Sequence, residues 1–284
     1  MPHTLVFPAP PAPMSDVPGL AVLARIVEET DLDDGVRVAG ELVAPPPRSG
    51  RLVTSALTEA LHGRYFQDDR TFGTGRPGRA RRGADFCRRV TEALQPEFFR
   101  GDDWRFAYRT TAGMPSFVVA AGPSAGDATS CFLHLRPGTA PEVFARLITA
   151  IDGYGVAFRA ELAGDPDACV RADAAVVTVA RGDASTLARV ALRVQQRAPF
   201  ALAPSVPAFT RRLAPGIALA DEPGPGTTFG RHRCRLVAAG LLAAGPGAGL
   251  SARRAAVLKT LERAGLDPTA LHLNPGSREI DVSR

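Results

Sequence analysis

Three short apolar runs stand out between residues 130 and 180 of the chain. They read CFLHL (131–135), VAFRAEL (156–162) and DAAVVTVA (173–180), and turn residues bound each of them, which predicts strands. The first two are joined by a stretch whose apolar residues share one helical face: Val143, Phe144, Leu147, Ile148 and Ile151. We therefore predict a strand–helix–strand–loop–strand core.

The linking helix has predicted ends at both sides. Thr139 and Glu142 have the spacing of a capping box, and Pro141 falls in the first turn, where no amide partner is lost. Gly153 and Gly155 should end the helix.

The same periodicities predict the rest of the chain as an α+β protein, a small twisted mixed β-sheet flanked by helices. Helices are predicted over 20–29, 52–66, 84–94, 185–197, 230–244 and 252–264, and strands over 35–43, 104–109 and 115–121. A basic, glycine-rich segment, 68–83, is predicted to be a loop. We expect a flexible N-terminal lead (1–18), an N-terminal α+β region (19–123) and a C-terminal α+β core (124–284).

Composition narrows the class of protein. The chain has 284 residues, of which 45% are hydrophobic and 22% charged, as in an ordinary globular protein. No apolar run is long enough to cross a bilayer, and the proline-rich start does not resemble a secretory signal. We therefore expect a cytoplasmic protein with no membrane partner. The four cysteines are scattered without a Cys-x-x-Cys pair, so buried free thiols are a better interpretation than a zinc site.

The basic residues are almost all arginines. The net charge is +5, and Lys259 is the one lysine among 34 lysine and arginine residues. The protein therefore has a single primary amine side chain, whereas arginine forks suited to phosphate or carboxylate are abundant. Nucleic-acid binding would rest on basicity alone, because no zinc finger, RNP-type aromatic motif or helix-turn-helix signature is present.

Several blocks of the C-terminal half resemble one family, in the same order and with similar gaps. They are residues 131–137, 158–166, 171–176, 207–216, 229–235 (FGRHRCR) and 273–277 (LNPGS). These blocks resemble the HopA-type effector family, which includes type III effectors of plant pathogens and proteins of class V lanthipeptide and thioamitide gene clusters. The resemblance covers about the C-terminal 150 residues. It implies a phosphothreonine-lyase-like core.

The resemblance also implies a reaction and its partners. In peptide clusters, such a protein would eliminate phosphate from phosphoserine or phosphothreonine in a ribosomally made precursor peptide, giving dehydroamino acids. A separate kinase-like protein of the aminoglycoside-phosphotransferase type would make the phosphoester. The elimination needs a base for the Cα proton and donors for the departing phosphate, but no metal or other cofactor in principle.

The implied base is a lysine on one strand, and the implied acid is a histidine on the neighbouring strand. Glu161 stands where the lysine is expected, and strand alternation places it on one face with Arg159, so an ion pair is the alternative to catalysis. His134 lies on the neighbouring strand, although its offset from Phe132 differs from the family pattern, and a structural histidine is the alternative.

A second group of candidate residues lies at the start of the helix predicted over 230–244. His232 lies there with Arg231 and Arg233, where backbone amides and the helix dipole favour an anion; a solvated basic helix face is the alternative. Together the candidates for catalysis are His134, Glu161 and His232, and those for phosphate or substrate binding are Arg136, Arg159, Arg211, Arg231 and Arg233.

Two functional hypotheses follow from these residues. The first is a phosphoserine/phosphothreonine lyase. The second is a non-catalytic partner that has lost the lysine and binds the kinase-like protein or the precursor peptide. They differ in whether arginine and histidine side chains converge on a pocket beside Glu161.

Overall fold

The computed structural model describes residues 18–44, 50–68, 79–94, 104–111, 114–122 and 126–282. The predicted flexible lead, apart from its last residue, Pro18, which begins the first helix, and residues 69–78 of the predicted basic loop lie outside these ranges. The part of that loop after residue 78 is helical, because α3 begins at Arg79.

The N-terminal third forms helices around a small hairpin sheet. The predicted strand 35–43 is two short strands, because Ala39 and Gly40 both have positive φ (50° and 82°), as a tight hairpin turn requires. A π-helical turn, His62–Phe66, follows α2 directly. The elements are α1 (Pro18–Glu29), β1 (Thr30–Asp31), β2 (Val36–Val38), β3 (Glu41–Ala44), α2 (Gly50–Leu61) and α3 (Arg79–Ala93).

Within the described chain, seven later strands form one sheet in the order β4-β5-β7-β8-β6-β10-β9. Its elements, with the intervening helices, are β4 (Trp104–Thr111), β5 (Met114–Ala121), β6 (Ala128–Leu133), α4 (Ala140–Asp152), β7 (Phe158–Ala163), β8 (Ala175–Ala180), α5 (Ala184–Arg197), β9 (Arg211–Ala214), β10 (Ile217–Asp221), α6 (Phe229–Ala244) and α7 (Leu250–Arg263). The α+β class and the strand–helix–strand–loop–strand core are confirmed.

The pairing differs from the mixed sheet that we predicted. All described pairings of neighbouring strands are antiparallel. The reason is the position of β8, which lies between β6 and β7 and pairs antiparallel with both. The crossover through α4 therefore joins two strands that run the same way but do not touch, an arrangement known as a split βαβ unit.

Two hydrophobic cores lie on opposite faces of this sheet. One core packs α3, α4 and α5 on one face, and it buries the predicted apolar stripe of α4. The other packs α1, α2, α6 and α7 with β1–β3 against Phe132 and Val176 on the opposite face. N-terminal and C-terminal helices thus share the second core, and the division into regions 19–123 and 124–284 stays a prediction.

Two of the predicted helix signals do not form. The Thr139 hydroxyl donates to the backbone oxygens of Arg136 and Ala201, both at 3.3 Å, and does not cap α4. Glu142 accepts from Arg89 at 2.7 Å. The predicted capping box is therefore wrong, because the preceding loop turns the threonine toward other carbonyls.

No helix within the described ranges is both long enough and apolar enough to cross a bilayer.

Candidate functional site

Glu161 lies on the face of the sheet opposite α4 and α5, on strand β7. Its register partners are Val118 on β5 and Val176 on β8, and Arg159 is the next residue on the same face. The Arg159 guanidinium donates to a Glu161 carboxylate oxygen, and the two side chains are 47% and 43% exposed. The ion pair that was the alternative to catalysis is thus present.

A chain of hydroxyls and a partly buried carboxylate continues from this pair across the sheet. Thr178 is the register partner of Arg159, and Ser130 is that of Thr178. The two hydroxyls share a hydrogen bond of 2.7 Å, and Ser130 donates to Glu222. Because the single Ser130 proton goes to Glu222, Thr178 is the donor to Ser130.

Glu222 connects this face to the start of α6. Its second carboxylate oxygen accepts the backbone N–H of Phe229 at 3.0 Å, so the helix start that we proposed for an external anion already holds a carboxylate. Burial raises the pKa of Glu222, and the negative charge of Glu161 adds to the rise, while the bonds from Ser130 and Phe229 and the charge of Arg233 oppose it. A second anion beside this helix end would meet like charge.

His232 is held neutral on the first turn of α6. Arg233 Nη1 lies 2.7 Å from His232 Nδ1, and because arginine only donates, Nδ1 is the acceptor and carries no proton. Burial, followed by the positive charges of Arg233 and Arg235, lowers the pKa of His232 to about 4. His232 is therefore uncharged at neutral pH.

Arg233 is almost completely buried, with 1% of its surface exposed, and it binds the C-terminal segment. Its Nε donates to the Leu271 carbonyl at 2.8 Å, and its Nη2 donates to the Leu273 carbonyl at 2.8 Å and to Asn274 Oδ1 at 3.2 Å. The guanidinium lies 4.9 Å from the ring centroid of Phe229. Burial lowers its pKa to about 10, so it stays charged at neutral pH.

Asn274 is the centre of a polar network that sequence reasoning missed. Its side-chain amide donates to the Glu222 carbonyl at 2.6 Å, and its backbone N–H donates to the buried carboxylate of Asp221 at 3.3 Å. Asp221 also accepts from Thr129 at 3.0 Å and from Arg181. The signals available in the sequence were the LNPGS block and the acidic pair that ends the apolar strand β10.

The remaining sequence candidates lie elsewhere. His134 directly follows β6 and is buried. It shares a 2.8 Å hydrogen bond with Ser205, and burial lowers its pKa. Arg136 is exposed in the loop before α4. Arg211 lies on the edge strand β9, where it pairs with Glu279 at 2.7 Å. Arg231 pairs with Glu59 of α2 at 3.0 Å.

The structure therefore brings two pairs together, Arg159 with Glu161 and His232 with Arg233, and places Glu222 between them. No described hydrogen bond or ion pair joins His134, Arg136 or Arg211 to either pair. Within the described ranges, no three His, Cys, Asp or Glu residues are placed to hold a metal ion.

A cavity of about 770 Å³ lies at the end of the sheet, between the start of α5 and the C-terminal loop. None of the sequence candidates lines it. Its lining has three arginines (Arg181, Arg189 and Arg278) and three acids (Asp127, Glu279 and Asp281). The formal charges of the lining therefore sum to zero.

His62 is a further residue that sequence reasoning missed. It lies in the π-helical turn, stacks on Phe66 with ring centroids 5.0 Å apart, and is close in space to Asp173, Arg171 and Arg231. Burial lowers its pKa to about 4. The sequence pattern predicted only a continuous helix here, which gives no sign of a π turn.

A comparison with known protein families identifies the family of the chain. A model of the HopA1 effector protein family matches residues 107–273, more than half of the chain. The chain belongs to the HopA1 effector protein family. The resemblance seen in the sequence blocks is confirmed, and the matched region includes Glu161, the Glu222 carboxylate, the start of α6 and Arg233.

Two solved structures share the fold at low sequence identity. One is an effector protein from Pseudomonas syringae pv. tomato strain DC3000, with a TM-score of 0.57 and 13% identity over 78% of this chain and 90% of that one. The other is an effector protein from Pseudomonas syringae pv. syringae strain 61, with a TM-score of 0.57 and 10% identity over 90% of this chain and 97% of that one. No curated protein matches the sequence.

Proposed function

We propose that this HopA1-family chain is a non-catalytic partner in the maturation of a ribosomally made peptide, binding the precursor peptide while a separate kinase-like protein does the phosphorylation. One observation carries the proposal. Glu161, at the position where the family resemblance implies a lysine base, is an acid that is paired with Arg159.

The chemistry of the lost base supports a binding role. An elimination begins with removal of a weakly acidic Cα proton, and a carboxylate is a weaker base than a lysine amine by about six pKa units. Glu161 also accepts a hydrogen bond from Arg159, so one of its carboxylate oxygens is already engaged. Lys259, the one lysine, lies on α7 and not on the sheet.

The positions of the arginines support it as well. A departing phosphate needs arginine forks that are free and convergent. Arg159, Arg211 and Arg231 each pair with a glutamate, and Arg233 binds backbone carbonyls of the C-terminal segment. The carboxylates of Glu161 and Glu222 would repel a dianion placed on this face.

An elimination assay tests the proposal against the lyase hypothesis. The purified chain is incubated with a synthetic phosphothreonine peptide, and loss of phosphoric acid is followed by mass spectrometry. We expect no loss with the wild-type chain. Turnover that is abolished by Glu161→Gln would overturn the proposal and establish the lyase hypothesis.

Binding is measured separately, by fluorescence anisotropy of the same peptide with and without its phosphate. A non-catalytic protein should gain little affinity from the phosphate at the candidate site, because Arg159, Arg211, Arg231 and Arg233 are engaged by internal partners. Failure to bind either form would contradict the peptide-binding part of the proposal.

A further inference from the structure

The two edges of the large sheet are built differently. Strand β9, at one edge, is four residues long, and its pairing with β10 shifts register at Ile217/Ala218. The C-terminal segment covers it: Arg211 donates to the Ile280 carbonyl at 2.7 Å, and Ile280 and Val282 pack against the core. A short, irregular and covered strand is how proteins protect a sheet edge.

Strand β4, at the other edge, has none of these protections in the described chain. It is eight residues long and pairs with β5 in unbroken register from Trp104↔Ala121 to Thr111↔Met114. No described strand pairs with its outer side. The side chains of Phe106 and Tyr108 are 44% and 52% exposed, so the edge is long, regular and partly apolar.

We propose that the outer edge of β4 binds an extended peptide as an added strand, with apolar and acidic residues alternating along that peptide. The proposal rests on the proposed function for the identity of the occupant, a peptide, and adds where and how it binds. An unpaired strand edge offers a row of backbone N–H and C=O groups, and their natural complement is another extended backbone.

The side chains of β4 determine which peptide fits. Phe106 and Tyr108 lie on one face and pack on Phe117, with ring centroids 5.9 Å and 5.1 Å apart. Arg105 and Ala107 lie on the other face, and Arg105 is exposed. An added strand would therefore place alternate residues beside two aromatic rings and the others beside an arginine.

Charge gives the preference for acidic residues. The strand sequence WRFAYRTT has two arginines and no acidic residue, and the neighbouring strand MPSFVVAA has no charged residue. Glutamates of the peptide that lie beside Arg105 would meet opposite charge, whereas lysines at the same positions would be repelled. The full edge accommodates a peptide of about eight residues, or about 27 Å.

A fluorescein-labelled peptide of alternating valine and glutamate, without phosphate, is the probe. Fluorescence anisotropy should show saturable binding to the full-length chain, with at least tenfold weaker binding of a valine–lysine peptide of equal length. Two singly N-methylated series, one for each set of alternate backbone nitrogens, test the strand pairing. One series should lose binding and the other should keep it. Binding that survives both series, or no binding of the parent peptide, would overturn the proposal.

Variants of the edge have matched controls elsewhere on the surface. Arg105→Glu and Phe106→Ser should each weaken binding about tenfold. Arg197→Glu, on exposed α5 surface, and Phe200→Ser, whose ring is 89% exposed on the turn after α5, should leave binding unchanged. Equal effects of the edge variants and their controls would contradict binding at β4, and circular dichroism verifies that each variant is folded.

The two proposals fail in different ways. Elimination of phosphate in the assay above would remove the non-catalytic function but leave binding of the unphosphorylated valine–glutamate peptide at β4 as measured. An absence of binding at β4 together with an absence of elimination would remove only the edge site.

Discussion

Arg233 and Arg159 have the same side chain in opposite environments. Arg233 is buried and makes four hydrogen bonds to the C-terminal segment and His232, whereas Arg159 is half exposed and pairs with one half-exposed carboxylate. Removing a buried donor leaves several acceptors without partners, while water replaces an exposed one. An arginine within a family block is therefore not in itself a sign of chemistry.

The strongest test of this contrast is Arg233→Met. The change keeps an apolar stem but leaves the carbonyls of Leu271 and Leu273 and the Asn274 side chain without their donor. We expect the free energy of unfolding to fall by about 4 kcal/mol, measured by urea denaturation. The control Arg235→Met, exposed on the same helix, should change it by about 0.5 kcal/mol or less. Equal losses in the two variants would contradict a structural role for Arg233.

Asn274→Ala tests the centre of the buried network. It removes the donor to the Glu222 carbonyl and the acceptor from Arg233, and we expect a loss of about 2–3 kcal/mol in the same experiment. Ser277→Ala, in the same loop, should be close to neutral, because no described residue accepts from or donates to its hydroxyl. A neutral Asn274→Ala would mean that water or a shifted loop restores the lost bonds.

The stability of the folded chain should also depend on pH, because the imidazole of His62 is buried. Its folded-state pKa is about 4, below the usual value of about 6.5. The unfolded chain therefore binds the proton first, so stability falls as the pH drops from about 6.5 toward 4 and is flat above this window. His62→Phe should reduce the fall in melting temperature between neutral and acidic pH. His232 contributes a similar dependence of stability on pH, so the variant should retain part of the fall in melting temperature. An unchanged profile in His62→Phe would show that the imidazole is solvated.

The exposed pair should give the smallest effect. A double-mutant cycle with Arg159→Ala and Glu161→Ala should yield a coupling energy below about 1 kcal/mol, and the coupling should fall with added salt. A larger, salt-independent coupling would mean that the pair is shielded from solvent, and the contrast with Arg233 would then be lost.

Local pattern predicted the elements of this fold but not their arrangement. The helical face of α4 and the three core strands were found because period and apolarity are properties of adjacent residues. The place of β8 between β6 and β7 was not found, because strand order depends on contacts between distant segments. The capping box failed for a related reason: Ala201, far along the chain, accepts from the Thr139 hydroxyl.

The candidate site shows the same limit. Strand alternation predicted that Arg159 and Glu161 share a face, and they form an ion pair. Three of the four partners of Arg233 lie 38 to 41 residues away, in a loop with no periodic signal, so its role could not be inferred from the FGRHRCR block. Glu222 is not a candidate from the sequence, because only the folded chain brings it between Ser130 and Phe229.

The position of β6 has a consequence for synthesis on the ribosome. One side of β6 pairs with β8, which follows after one helix and one strand, α4 and β7. The other side pairs with β10, where Ala220 is the register partner of Ser130, so it stays unpaired until β10 has been synthesised. Until residue 220 has emerged, a strand that is buried at every position in the folded protein has one unpaired edge, and slow long-range closure of this kind exposes nascent chains to aggregation. A stalled or truncated chain ending before β10 should therefore require a chaperone.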